Sequence, residues 1–153
     1  AQMDRVRDAI WMPPRGNRRP GGPGNYWVDD FALESWQRDV EDDFIVLPQI
    51  ESRAGLAHVD EIAGHEIVTA MAIGPYDLSM DLGVGSQMDH PTLMAAIERI
   101  RVSAQGMGKT MWRIGHGPTM VRQGFHFLCI GEPMAVLKAA LAAAQQETLA
   151  PVD

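Results

Sequence analysis

Two carboxylates stand where apolar, strand-like runs end: Glu51 after Ile45-Val46-Leu47-Pro48-Gln49-Ile50, and Asp77 after Met71-Ala72-Ile73-Gly74-Pro75-Tyr76. An ionised acid at the end of a buried run is costly to desolvate unless something pairs with it. Two of them converging at strand ends supply hard oxygen donors for a divalent cation. Gln49 precedes Glu51 by two positions, so it shares that strand face and reaches the same place. Gly74 lets backbone approach a small anion closely. Pro75 offers no N–H, but the amides of Tyr76 and Asp77 are available as donors. For either acid alone the competing reading is a helix cap, because the positive end of a helix favours a carboxylate. For both together, after successive strands, the spacing favours a shared cation.

The scaffold that would hold these groups is legible from residue 44 onward, where apolar runs alternate with amphipathic helical ones. Residues 44–50 form a near-continuous apolar run, as expected of a strand covered on both faces, with Pro48 costing one ladder hydrogen bond if the strand is central. Residues 54–63 place Leu56, Val59, Ile62 and Ala63 on one helical side, with Gly64 to end the helix. A strand at 69–73 leads through an irregular segment to Met88 and then to a helix capped by Asp89 or His90, with Pro91 in its first turn. That helix buries Leu93, Ala96, Ile97, Ile100 and Ala104. Strands at 109–114 and 125–130 follow, each with its helix, at 119–123 and 133–146. Strands separated by helices pair in parallel, since parallel neighbours need crossovers. The fold class is therefore α/β, as a barrel or an open doubly wound sheet, and both put ligands at the C-terminal edge. No glycine-rich nucleotide motif is present, which counts against the nucleotide-binding versions of the open sheet.

Residues 1–10 read as the tail of a helix leading into a short extended piece at 9–12 that Pro13-Pro14 ends. Residues 15–25, with Gly16, Pro20, Gly21, Gly22, Pro23 and Gly24 among arginines, read as an irregular loop, and 31–40 as a helix carrying Phe31, Leu33, Trp36 and Val40. Glu41-Asp42-Asp43 then reads as a solvated polar break. The chain of 153 residues is 46% hydrophobic, enough for the core of one domain. Its net charge of −7 opposes nucleic acid and anionic membrane as partners. The single cysteine, Cys129, sits in an apolar run and reads as a buried, inert thiol of a reducing compartment. With no apolar run long enough to span a bilayer and no signal-peptide plan in the first residues, a cytoplasmic location is expected.

Several stretches together resemble a known family: Pro-Gln-Ile-Glu-Ser-Arg-Ala-Gly-Leu at 48–56, Val-Asp-Glu-Ile at 59–62, Ile-Gly-Pro-Tyr-Asp-Leu-Ser-Met-Asp-Leu-Gly at 73–83, and Gly-Phe-His-Phe-Leu at 124–128. They are similar to the HpcH/HpaI aldolase and citrate lyase family, in the branch of hydroxy-oxo-heptanedioate aldolases and macrophomate-synthase-like proteins. Met12-Pro13-Pro14-Arg15-Gly16-Asn17-Arg18 resembles a loop of that family, with Met12 in place of an aromatic residue and Arg19 in place of a glycine.

The resemblance implies a (β/α)8 TIM-barrel type of fold, present here as roughly its C-terminal half: residues 1–43 as a lead-in and 44–153 as four βα units of one partial domain. It implies a divalent cation, Mg²⁺ or Mn²⁺ with Co²⁺ also compatible, held by Glu51 and Asp77. Gln49, Gly74, Pro75, Tyr76 and Asp77 would line a 2-oxo acid site. The implied reaction is carbon–carbon cleavage to pyruvate and an aldehyde through a metal-stabilised enolate. No Schiff-base lysine is needed, and Lys109 and Lys138 stand at no evident site. The family's proton-transferring histidine–aspartate pair and its carboxylate-binding arginine belong to an earlier half outside these residues. The chain alone is therefore expected to bind metal weakly and not to turn over, and an inactive homologue or a self-assembling half-barrel module is the alternative.

Among the other chemical side chains, His116 after the third strand either touches the site or is a turn residue. His90 reads as a helix-start residue, His126 as alternating between barrel core and helix layer, and His58 and His65 as surface positions. Met111 and Trp112 read as core. Arg18 either serves a neighbouring site or subunit contact, as the resembling loop does in the family, or is simply solvated. The C-terminal helix, with Met134, Leu137 and Leu141 spaced for burial, resembles an element exchanged between subunits of a homo-oligomer; a simple packed terminal helix is the other reading.

Overall fold

The computed structural model describes residues 2–19 and 32–150. Four strands, β1 (Gln49–Ile50), β2 (Ala70–Ile73), β3 (Thr110–Ile114) and β4 (Phe127–Cys129), form one parallel sheet in the order β1-β2-β3-β4. Register pairs Gln49 with Ala72 and Ile50 with Ile73, then Met71 with Met111, then Trp112 with Phe127. The ladder of β1 is shorter than the apolar run at 44–50, and proline accounts for part of that. Val46 and Pro48 still accept from β2 through their carbonyls, Pro48 O from Ala72 N at 3.0 Å. Pro48 has no N–H to return, and Val46 N–H goes to the Thr69 hydroxyl at 3.0 Å.

The helices are α1 (Gln2–Ile10), α2 (Leu33–Trp36) with a π-helical turn at Gln37–Glu41, α3 (Arg53–Ala57), α4 (Val59–Ala63), α5 (Pro75–Asp81), α6 (Pro91–Gly106), α7 (Gly117–Arg122) and α8 (Pro133–Leu149). The single helix expected at 54–63 is broken in two at His58, whose φ of −107° and ψ of 16° leave the helical region. Residues 75–81, expected to be irregular, form α5, because Pro75 presets the first turn. His90 caps α6 as expected, its Nδ1 accepting from Thr92 N at 3.2 Å. Leu93, Ala96, Ile97, Ile100 and Ala104 are all buried along α6, and they meet Met71, Ile73 and Met111 of the sheet in the core.

Asp60 on α4 ties that core to α6: it accepts from Arg99 Nη1 at 2.9 Å and from the Ser103 hydroxyl at 2.7 Å. Those two donors, Arg99 first, lower its carboxyl from 3.8 to about 2. A depressed folded-state pKa contributes stability that is present above the unfolded value and is lost as pH falls through the folded one. Asp60→Asn is therefore expected to lower the melting temperature near neutral pH. It should also flatten the acid loss of stability between about pH 4 and about pH 2, read from melting curves across that range.

The N-terminal region departs from expectation. Residues 9–12 hold no extended piece: α1 runs through Ile10, and Met12 is buried at 1% exposure behind it. The second half of the glycine-rich loop and Phe31 fall outside the described residues. Arg18 is not simply solvated, since its guanidinium lies 5.8 Å from the centroid of the Trp36 ring. His65 is half-buried, with Nε2 3.3 Å from Asp4 Oδ1, rather than a surface residue. Trp112 is only half-buried, Cys129 is half-buried with its thiol donating to Gly131 O at 3.4 Å, and His126 is exposed. In α8 no residue is buried: Met134, Leu137 and Leu141 are 67%, 51% and 62% exposed. No helix among the described residues is long and apolar enough to cross a membrane.

Candidate functional site

The ends of β1 and β2 bring Glu51 and Gly74 side by side. Gly74 N–H donates to Ile50 O at 3.2 Å, which extends the β1–β2 pairing by one step and sets the Glu51 side chain against the Gly74 backbone. Gln49 Nε2 donates to Glu51 Oε1 at 2.5 Å, so the two residues of one strand face act as a unit. A Cβ on residue 74 would lie 2.5 Å from Glu51 Oε1, 2.6 Å from its Cγ and 2.8 Å from Gln49 Nε2. Gly74 has φ −96° and ψ 86°, so glycine is required here by space and not by conformation.

From Gly74 the chain turns directly into α5: Leu78 N donates to Gly74 O at 2.9 Å, with Pro75 opening the helix. Asp77 therefore sits in the first turn of α5 rather than in a loop, and its side chain is exposed. Tyr76 is 64% exposed and Pro75 half-buried at the same edge.

Neither acid serves as a helix cap. The cap of α3 is Ser52, whose hydroxyl accepts from Gly55 N at 3.1 Å, and α5 has no side-chain cap. Neither has an ion-pair partner among the described residues. Both carboxylates are exposed, Glu51 at the end of β1 and Asp77 in the first turn of α5, so water solvates their charge and their oxygens are available as hard donors.

Among the described residues there is no group of three or more histidine, cysteine, aspartate or glutamate side chains that could hold a metal. A set limited to Glu51 and Asp77 does not make an all-protein cage. It suits an ion that keeps waters or takes oxygens from a substrate, the habit of Mg²⁺ and similar hard cations.

Three residues that the sequence reading does not single out, Ser52, Arg53 and Asp81, fasten the site from behind. Arg53 N–H donates to Asp81 Oδ2 at 2.6 Å, linking the start of α3 to the end of α5. Ser52 fixes the direction in which the chain leaves Glu51, and a serine just ahead of a helical run is a recognised start signal. His116 follows β3, but its Nδ1 is 3.0 Å from the Thr119 hydroxyl, and it makes no hydrogen bond to Gln49, Glu51 or Asp77.

The HpcH/HpaI aldolase/citrate lyase family model matches residues 1–131. The 2-keto-3-deoxy-L-rhamnonate aldolases of Shigella boydii serotype 4 (strain Sb227) and Escherichia coli (strain K12 / DH10B) are each 30% identical to it over 134 residues, 85% of this chain and 50% of theirs. The chain thus spans about half the length of the curated relatives it matches. Its fold is similar to that of the HpcH/HpaI aldolase from Desulfitobacterium hafniense DCB-2, with a TM-score of 0.78 at 24% identity over 97% of this chain and 60% of that one. Macrophomate synthase superposes with a TM-score of 0.71 at 22% identity, over 98% of this chain and 57% of its own. With a parallel α/β sheet that aligns to aldolases over nearly its whole length, and a family match that includes Gln49, Glu51, Gly74 and Asp77, the chain belongs to the HpcH/HpaI aldolase/citrate lyase family.

Proposed function

We propose that this chain carries the cation-holding part of a divalent-metal-dependent lyase site, in a protein that cleaves a hydroxylated 2-oxo acid to pyruvate and an aldehyde. One observation supports the reading: Glu51, at the end of β1, and Asp77, in the first turn of the helix that follows the adjacent β2, lie exposed and without ion-pair partners among the described residues, with Gly74 leaving the space that the Glu51 carboxylate fills. The parallel sheet is then about half of a (β/α)8 barrel, with the site at the C-terminal mouth. When bound there, Mg²⁺, Mn²⁺ or Co²⁺ supplies Lewis-acid stabilisation of negative charge developing on substrate oxygens.

The chain's own residues have distinct tasks. Glu51 and Asp77 hold the cation, and Gln49 fixes the Glu51 carboxylate through its 2.5 Å hydrogen bond. Pro75 and Tyr76 follow Gly74 at the same edge, where the first-turn amides of Tyr76 and Asp77 are the donors offered to a small carboxylate. The base and the arginine that would bind the substrate carboxylate are assigned, on the family resemblance, to the half of the relatives' length that this chain does not span. The chain by itself is expected to be inactive.

Mn²⁺-induced relaxation of water protons measures the first half of this reading on the isolated chain. Weak binding that is lost in both Glu51→Ala and Asp77→Ala is expected. The second half is tested by joining the chain to an N-terminal half from the family and assaying pyruvate release. Activity that survives a chelator, or either alanine substitution, sinks the metal assignment.

The exposed face of α8 supports the homo-oligomer reading. Its exposed Met134, Leu137 and Leu141, all on a helix that buries nothing, favour a homo-oligomer in which this helix is exchanged between subunits. Leu137→Glu with Leu141→Glu is expected to shift the chain to monomer in sedimentation. An unchanged mass would remove α8 from the contact. A cytoplasmic setting accords with the unpaired Cys129.

A further inference from the structure

We infer that Asp81, the last residue of α5, is a positioning residue for the two candidate cation ligands: by holding the N–H of Arg53 it turns the Asp77 face of α5 toward Glu51. That role rests on the cation reading above, since it concerns the two acids that would hold the ion. Asp77 and Asp81 are four positions apart on α5, so they lie on the same helix face, one turn from each other. Asp81 Oδ2 accepts the Arg53 N–H at 2.6 Å, which faces that side of α5 toward the start of α3. Glu51 is two residues before Arg53, where β1 ends. One bond therefore sets both the rotation of α5 about its axis and the path of the chain just after Glu51.

Asp81 is poorly placed for its own helix. The C-terminal end of a helix carries partial negative charge, so a carboxylate there is unfavourable, and so is a second carboxylate one turn away. The start of α3 offsets both costs. Arg53 N–H is a first-turn amide with no acceptor inside its own helix, and a carboxylate at that positive end makes a short, charge-assisted bond. The Ser52 hydroxyl takes a different amide, that of Gly55 at 3.1 Å, so the two acceptors do not compete. Arg53 also reaches back along its side chain. Its Nη2 lies 3.5 Å from where a Cβ on Gly83 would be, in the turn directly after α5. Among the described residues no other side-chain hydrogen bond joins α3 to α5. The angle at which Asp77 meets Glu51 thus hangs on Asp81.

Three variants of the full chain test this: Asp81→Ala, Asp81→Asn and, as a control, Asp60→Asn, which loosens α4 from α6 and leaves the Arg53–Asp81 bond in place. Without metal, residual dipolar couplings of the Cα–Hα bonds of α5, referred to those of α6, report how α5 is rotated. Asp81→Ala is expected to change them. Asp81→Asn keeps a carbonyl oxygen for the Arg53 N–H and should restore the parent values. With metal, Mn²⁺-induced relaxation of water protons should show binding about tenfold weaker in Asp81→Ala and close to the parent in Asp81→Asn. Each bound ion in Asp81→Ala should also carry more water, because one carboxylate no longer reaches it. Asp60→Asn should bind as the parent does at temperatures well below its own melting transition.

Parent couplings or parent affinity in Asp81→Ala overturns the assignment. So does an Asp81→Asn protein as weak as Asp81→Ala, because charge and not the hydrogen bond would then be acting. An equal loss in Asp60→Asn overturns it as well, by reducing Asp81 to a contribution to stability. A parent chain that binds no Mn²⁺ sinks the cation reading, and the couplings, which need no metal, then decide by themselves whether Asp81 orients α5.

Discussion

Replacing Gly74 with alanine is expected to leave the fold standing while weakening divalent-cation binding at Glu51 by about ten- to a hundredfold, the range found when groups that orient a metal ligand are lost. The added methyl would lie 2.5 Å from Glu51 Oε1 and 2.6 Å from its Cγ, so the Glu51 side chain must swing away. Its bond from Gln49 Nε2 breaks in the same movement, because that nitrogen is 2.8 Å from the same methyl. The backbone suffers nothing comparable, since φ −96° and ψ 86° are open to alanine and the displaced atoms belong to exposed side chains. Melting temperature and Mn²⁺ relaxation measured on the same sample separate the two effects. A Gly74→Ala protein that melts as the parent and binds Mn²⁺ equally well would show that the Glu51 carboxylate is not a ligand.

The parts of the fold legible in the sequence are those governed by local chemistry and strong periodicity. All five residues assigned to the buried stripe of α6 are buried, because a sixteen-residue helix with a proline start and a histidine cap leaves little freedom of phase. The parallel pairing of the strands follows from strand–helix alternation alone. Shorter elements are less legible. The break at His58 and the formation of α5 depend on where the chain must turn against the sheet, and no residue pattern of five to seven positions fixes that. In α8, the spacing of Met134, Leu137 and Leu141 marks an apolar stripe, but a stripe says nothing about what covers it, and among the described residues nothing does.

The site is legible in its residues and less so in its geometry. Gln49 and Glu51 two positions apart on a strand must share a face, and the structure joins them with a hydrogen bond. Asp77 is expected at a strand end, and instead the helix begins immediately after Gly74, so the acid projects from a first turn. The sequence leaves helix capping open for both acids; Ser52 takes that task in α3 and no side chain takes it in α5. Glu41 does not belong to a solvated break, since it is buried beneath the turn that precedes Asp42. Three consecutive acids look alike in sequence, and only the approach of Met12 from a distant segment distinguishes the first.

The largest loss of stability is expected from Ile100→Ala, about 2–5 kcal/mol, as for the removal of other large buried aliphatic side chains. Ile100 is wholly buried in α6, within the core cluster that includes Val59 of α4, Met71 of β2 and Met111 of β3. It therefore stands where α6 holds the centre of the sheet, and a cavity there has close-packed walls on several sides that cannot all move in. For a domain of this size the loss corresponds to a fall in melting temperature of roughly 5–20 °C. Val102, on the same helix but 51% exposed, provides the control, and Val102→Ala should change stability by no more than about 0.5 kcal/mol. Ile100→Val should fall between the two, at about 0.5–1.5 kcal/mol. Because β2 leads directly into Gly74, cation binding in the Ile100→Ala protein should be retained at low temperature and disappear together with the folded state on warming. Binding lost well below the melting transition would mean that the strand ends move independently of the core, and that the position of Glu51 is set by the loops around it rather than by the sheet.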